Sequence, residues 1–562
     1  MKMSQYAVIA LSVMANVSMG AEKEKHVTDV ASLVSAINEA EAGTTIYLAP
    51  RVYDLGTVSA MHANGHLAIT KTLTFVGEDD ASWRSSATRE TGAILKGSGN
   101  RIMRCEAKVT ARHITFLGGS SGQAAAGYWD TSQHAPEFTN CVFRSNVATG
   151  GNAAINRGIA RDCLFEKNTA ASYAGAANEC TSYNCVFDSN QAGQGGALVN
   201  SSAYDCVFTN NVADQENARG GAIWNQGGNK YVYEHCLFVN NRVSGTNAKG
   251  GAIHTSVSVA RIDDCEFRGN SSSFIGGAIC PESSVNTLLI TNCTFVANKA
   301  QSAGALYYCK NVIDCDFANN TNYYFSAHCW HSILKNCRIT GEGQMCQSTL
   351  TDCIFTNAHC SNAQAPGVVV AVENSVQDVP AALYNCLFVG CNGGYLFRNQ
   401  GSRLKVVNCT VADSTITLAV LDNAKYSSSY PRTEVLNSLF AGVSNGSRDV
   451  GFQAINTAGE GCLVCSNNAA TVLSIPASTE SFPVVTGGNV QGKIVFYGTR
   501  KSDGVPPYTP RYSSASLGVG ALLDWTDEDR DLAGNPRVIN GRVDAGCYQT
   551  CYSRPGLILC VY

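Results

Sequence analysis

Across 562 residues the net charge is −4 and only 15% of side chains are charged, which leaves no basic footprint for nucleic acid. Hydrophobic residues make up 45%, with 53 glycines and 25 cysteines, and the low charged fraction with abundant Gly, Ser, Asn and Thr suits a β-rich extracellular protein. Length alone points to several domains, but the repeat described below overrides that prior, because a solenoid grows along its axis around one continuous core.

The chain opens like an export signal. Lys2 supplies a short positive region, Tyr6–Val17 is apolar, and Ser18 and Gly20 are small residues ahead of Ala21. The apolar run is too short to span a bilayer, so residues 1–20 are expected to be cleaved, and no later stretch reaches transmembrane length. Residues 29–42 place Val30, Leu33, Val34, Ile37 and Ala40 on one helical face, with Asp29 as N-cap and Gly43 as stop. This predicts a helix capping an otherwise open core. Strands follow around Leu67–Ile69, Thr72–Val76, Ile94–Lys96 and Ile114–Phe116.

From about residue 138 a motif recurs, [Asn/Asp]-Cys-x-Phe-x-x-Asn, often followed by Gly-Gly-Ala-[Ile/Leu]. The clearest copies centre on Cys141, Cys163, Cys185, Cys206, Cys236, Cys265, Cys293 and Cys315, and weaker ones on Cys337, Cys353, Cys386 and Cys409. A spacing most often of 22 residues is too short for a helical pair and fits one turn of a β-helix. The alternation in Cys-x-Phe has the period of a strand. The expected fold is therefore all-β, a single-stranded right-handed parallel β-helix over residues 21–440 of roughly eighteen coils, with residues 441–562 as terminal coils and a tail.

In such a coil a repeated residue becomes a ladder. Cys and Phe are predicted to point inward, the thiols reduced because strands in register hold them farther apart than a disulfide allows. Asn146, Asn168, Asn190, Asn211, Asn241, Asn270, Asn298 and Asn320 stand five residues after the cysteine. They are expected to take left-handed turns and to bond along the axis. The residue before each of the twelve cysteines is Asn, Asp or, once, His235, read as a bend with a side-chain cap. Gly195, Gly220, Gly250 and Gly276 are read as tight corners. The pair Cys462 and Cys465 has no second half for a zinc site, and Cys547, Cys551 and Cys560 are the candidates for pairing.

Interruptions of the repeat mark the possible working side. Two successive coils carry eight-residue insertions, VADQENAR (212–219) and RVSGTNAK (242–249). Arg219, Arg242 and Lys249 are expected to cluster there, with Trp224 and His254 facing outward beside them. Cations beside an aromatic ring suit an acidic sugar.

The FxxN and GGA[ILV] pairs, for example Phe208–Asn211 with Gly220–Ile223 and Phe238–Asn241 with Gly250–Ile253, resemble the repeats of chlamydial polymorphic outer-membrane proteins. That resemblance implies a surface-exposed bacterial adhesin. The family's autotransporter barrel is not carried over, because no run of alternating barrel strands is legible at the C-terminus. The opening ASLVSAINEAEAGTTIYLAPRVYDL (31–55) resembles the entry of pectin-lyase-like β-helix proteins, many of which cleave or bind polysaccharides. The segment 531–549 resembles the tail of exported bacterial β-helix proteins with varied surface anchors. The expected function is a secreted or cell-surface rod of a bacterium that binds a polysaccharide or host-cell glycan without catalysis, with no cofactor and no metal. The alternative is a polysaccharide lyase, for which Arg219, Lys249 and His254 would be the candidate bases and calcium a possible cofactor. No cluster of carboxylates suits a glycosidase.

Overall fold

The computed structural model describes residues 23–549 apart from short internal stretches, the longest being 79–91 and 497–505. The export signal, Cys551 and Cys560 lie outside the described residues. The fold is a right-handed parallel β-solenoid, and every pairing between its named strands is parallel. The coil 223–243 shows the plan. Face A is Ile223–Asn225, face B is Tyr231–Glu234, face C is Leu237–Val239 and the short face D is Arg242–Val243. Face C runs in register through eighteen strands, from Val52–Asp54 to Val490–Gln491. Face D forms a separate sheet of nine short strands between Ser120 and Asn322. One end of the core is closed by the helix Val30–Glu39, which buries Leu33, Val34, Ala36 and Ile37. Asp29 and Ser32 cap it reciprocally.

Each position of the motif has a distinct physical task. Phe rings from Phe116 to Phe317 stack with centroids 4.6–5.0 Å apart and planes within 10° of parallel. Each stacked pair adds roughly 0.5–1.5 kcal/mol beyond its burial. The stack is interrupted at Ile339, which replaces the ring in that coil, and resumes at Phe355 and Phe388. Beside the rings run the buried cysteines, all free thiols. Backbone N–H groups of Cys163, Cys185, Cys236 and Cys293 point at the sulfur of the next coil at 3.4–3.5 Å. Burial pushes the thiols of Cys163, Cys185 and Cys236 up.

The asparagines are wholly buried. Asn211 is typical. Its Nδ2 donates to Asn241 Oδ1 and to the carbonyl of Phe187, both at 2.9 Å. Its Oδ1 accepts from the backbone N and Nδ2 of Asn190, both at 3.0 Å. Expectation and structure differ here by one residue. The ladder asparagines are not left-handed. The residues just before them are, among them Ser145, Lys167, Ser189, Asn210 and Asn240, with φ of 53–55°. The left-handed residue bends the chain and so turns the following side chain inward. A second left-handed residue precedes each motif cysteine, including Asp162, Asp205, His235 and Asp264. Gly220 has φ 62°, and a Cβ on Gly221 would overlap the carbonyl oxygen of Gly251 in the next coil.

Although the motif fades after residue 440, coils continue to Gln491. The tail then returns along the outside of the rod. Asn437 exchanges two hydrogen bonds with the backbone of Ala521, and Cys547 N donates to Thr410 Oγ1 at 2.9 Å. Leu387, Cys547 and Tyr548 form a buried apolar contact there.

Candidate functional site

The two eight-residue insertions are ordered and repeat one another. Asn217 and Asn247 both take left-handed turns, and Asn247 Nδ2 donates to Asn217 Oδ1 at 3.3 Å. Ala213, Ala218, Val243 and Ala248 pack beneath them. Each insertion ends in a cation just ahead of Gly-Gly, so Arg219 and Lys249 are bridged side by side in adjacent coils.

Both cations meet one carboxylate that the sequence did not single out. Glu282 stands 3.4 Å from Lys249 Nζ and 3.5 Å from Arg219 Nη2. It follows Ile279–Pro281, the face-A strand one coil beyond His254. Its other oxygen contact is His254 Nε2 at 3.3 Å. The contact with His254, then the charges of Lys249 and Arg219, hold the Glu282 carboxyl down at about 2. The three charged side chains are roughly one-third exposed, so one side of the group faces solvent.

Two expectations are corrected. His254 is fully buried, and Trp224 is only 4% exposed. Both point away from the core, as alternation along face A requires, but the corner bearing Arg219, Lys249 and Glu282 roofs them over. His254 Nδ1 lies 2.5 Å from the carbonyl of Cys280, to which it donates, and burial lowers the imidazole's pKa while the adjacent Glu282 carboxylate opposes that shift. Trp224 packs on Ala174 and Val199, with the Arg219 guanidinium 6.0 Å and the Tyr173 ring 5.7 Å from its own. Tyr173 is 43% exposed and is the aromatic that solvent reaches.

Arg242 is the third correction. It stands on face D, at the start of its insertion, and lines a groove with Ser244, Ser271, Ser273, Lys299 and Gln301. Arg219 and Lys249 are thus gathered at one corner and Arg242 is not. Glu282 and Tyr173 lie outside the motif, and no signal in the sequence singled them out. The registers that join them to the cations emerge only once the coils are stacked. Among the described residues no group of three or more His, Cys, Asp or Glu could hold a metal ion. Cys462 and Cys465 are both free thiols.

Comparison with known proteins agrees with this architecture. The description "Right handed beta helix region" matches residues 276–440, and the Chlamydia polymorphic membrane protein repeat matches residues 205–226. The chain is a right-handed β-helix carrying a repeat of the polymorphic membrane protein type. No curated protein matches it. Among solved structures it is similar to the PL6 family alginate lyase AlyGC, with 9% identity over 83% of this chain and 98% of that one, at a TM-score of 0.28. It is also similar to the catalytic unit of the GH87 α-1,3-glucanase of Streptomyces thermodiastaticus strain HF3-3, with 13% identity over 75% and 66%, at 0.26. A third likeness is to PfbA, a surface adhesin of Streptococcus pneumoniae, with 9% identity over 63% and 87%, at 0.24. Superpositions this loose bring neither residue roles nor activity to this chain. Among the described residues no helix is long and apolar enough to cross a membrane.

Proposed function

We propose that this chain is an exported bacterial β-helix rod that binds an acidic polysaccharide at the Arg219–Lys249–Glu282 corner, as a surface or secreted adhesin, without cleaving it. One observation carries the reading. Two cations share a single carboxylate, which leaves one excess positive charge at a partly open corner, with the exposed ring of Tyr173 on the far side of Trp224 from Arg219. A uronate can take up that charge while its sugar ring lies against the aromatic. The apolar segment at the N-terminus and the polymorphic membrane protein repeat support placement outside the cell.

The lyase alternative needs a base that reaches the substrate. His254 is closed off from solvent, and Lys249 is held to Glu282 as an ion pair. Both features favour binding over proton abstraction. The deciding experiment incubates the purified chain with a panel of uronic-acid polysaccharides, measuring retention on the polymer and absorbance of the unsaturated product together. The expected result is retention without product, weakened in Lys249→Ala and Tyr173→Ala. Sustained product formation that Lys249→Ala abolishes would replace the binding rod with a lyase.

A further inference from the structure

Several cations on the rod's outer faces lie against a carboxylate one coil away. Arg144 pairs with Glu166, Arg157 with Glu179 and Arg338 with Asp316. Face D breaks this habit at one place. Arg242, Ser271 and Lys299 occupy one register position in three successive coils. Among the described residues neither Arg242 nor Lys299 has a carboxylate within ion-pair distance, and both are exposed. They border a groove of about 430 Å³ lined further by Ser244, Ser271, Ser272, Ser273 and Gln301, over a floor of Val243 and Ala300. On the preceding coil Asp214, two residues past the position paired with Arg242, is itself engaged by Gln191 Nε2.

We propose that this groove is a second binding site, separate from the Glu282 corner, for the anionic groups of a linear polysaccharide. The two cations stand two coils apart, about 10 Å at the spacing of parallel strands, with serine hydroxyls between them. That arrangement suits a chain running along the rod that presents a carboxylate or sulfate to each cation and ring hydroxyls to the serines. Two isolated cations without a stacking aromatic do not suit nucleic acid, which is gripped by longer basic tracks and ring stacking, and a net charge of −4 opposes it further. The inference rests on the reading of the rod as a binder of acidic glycans but assigns a different surface, so the two can fail separately.

The test measures binding of the full chain to polygalacturonate, dextran sulfate and neutral dextran by affinity electrophoresis at low and moderate salt. Arg242→Ala/Lys299→Ala is compared with Arg219→Ala/Lys249→Ala, and the thermal unfolding of each is recorded. The expected result is roughly tenfold weaker binding of one anionic polymer by the face-D pair, about threefold for each exposed charge contact. Unfolding is expected to be unchanged, neutral dextran unbound, and affinity restored in Arg242→Lys/Lys299→Arg. Which of the two polymers responds distinguishes carboxylate from sulfate. Undiminished affinity in the face-D pair alongside loss in the corner pair would overturn this inference and leave the corner intact. Loss confined to the face-D pair would uphold the inference and overturn the corner. Equal affinity for single-stranded DNA, or no binding of either anionic polymer, would overturn the groove as a glycan site.

Discussion

The asparagine ladder can be tested at its middle by Asn211→Ala. The substitution removes four buried hydrogen bonds at 2.9–3.0 Å. Nδ2 of Asn190 keeps its bond to the carbonyl of Phe165, and Oδ1 of Asn241 keeps the backbone N–H of residue 211. The groups that lose a partner outright are the backbone N–H of Asn190 and one acceptor position on the carbonyl of Phe187. Each buried group left unsatisfied costs about 1–3 kcal/mol, and the vacated volume adds to that. The expected loss is therefore about 3–5 kcal/mol. Asn210→Ala, at the exposed left-handed position next door, is expected to cost only about 1 kcal/mol. A solenoid need not unfold in one step, so the assay is local: hydrogen exchange in peptides spanning 186–191 and 207–212, alongside urea unfolding. Faster exchange confined to those coils and their neighbours is expected. If the two variants behave alike, the ladder contributes turn geometry and little hydrogen-bond energy, and the reasoning fails.

Three further outcomes follow from the same geometry. Gly221→Ala drives a Cβ into the carbonyl of Gly251 and should cost at least about 2 kcal/mol, whereas Gly122→Ala, which meets nothing within 4 Å, should be neutral in thermal unfolding. Thiol titration without reductant should find the native protein reactive at Cys360 and Cys462, the two described cysteines that are not buried, and at least 23 thiols after denaturation, counting the free cysteines described. Finally, His328 is buried and accepts from Asn320 Nδ2 through Nδ1, and burial holds its pKa at about 3. A histidine depressed in the folded state contributes stability that is whole above its unfolded value near 6.5 and is lost as pH falls toward 3. At pH 4.5 the loss is about 3 kcal/mol, two units at about 1.4 kcal/mol each. His328→Gln, which keeps an acceptor for Asn320, should flatten the pH dependence of unfolding between 6.5 and 4.5; an unchanged profile would remove His328 from the account.

How much could be read in advance depended on repetition. Cys, Phe and Asn recur, so each copy reports the same environment, and period and alternation together locate the interior. The left-handed residues were misplaced by one because Asn occurs both at the bend and just after it, as Asn210-Asn211 and Asn240-Asn241 illustrate. His254 was misjudged for another reason. Alternation gives the direction of a side chain but not what lies above it, and the roof comes from Glu282, twenty-eight residues on. Arg242 and Lys249 are seven residues apart yet lie on different surfaces, because the insertion between them turns the corner from face D to face A.

These misses share a cause that bears on where function resides in such a rod. On face A the inward residue barely changes from coil to coil, being Ile223, Ile253, Ile279 and then Leu306. The next residue outward is Trp224, then His254, then Cys280, and further along Tyr307 beside Trp330. The interior is satisfied by the ladders alone, which draw nothing from the outward column, so that column is free to vary at little cost to the fold. Chemistry that differs between adjacent coils can therefore arise only there and at the corners. Both charge groupings, Arg219 and Lys249 on Glu282 and the cations Arg242 and Lys299 of the face-D groove, occupy such positions. A change there should alter binding and leave unfolding untouched, and a change in the ladders should do the reverse.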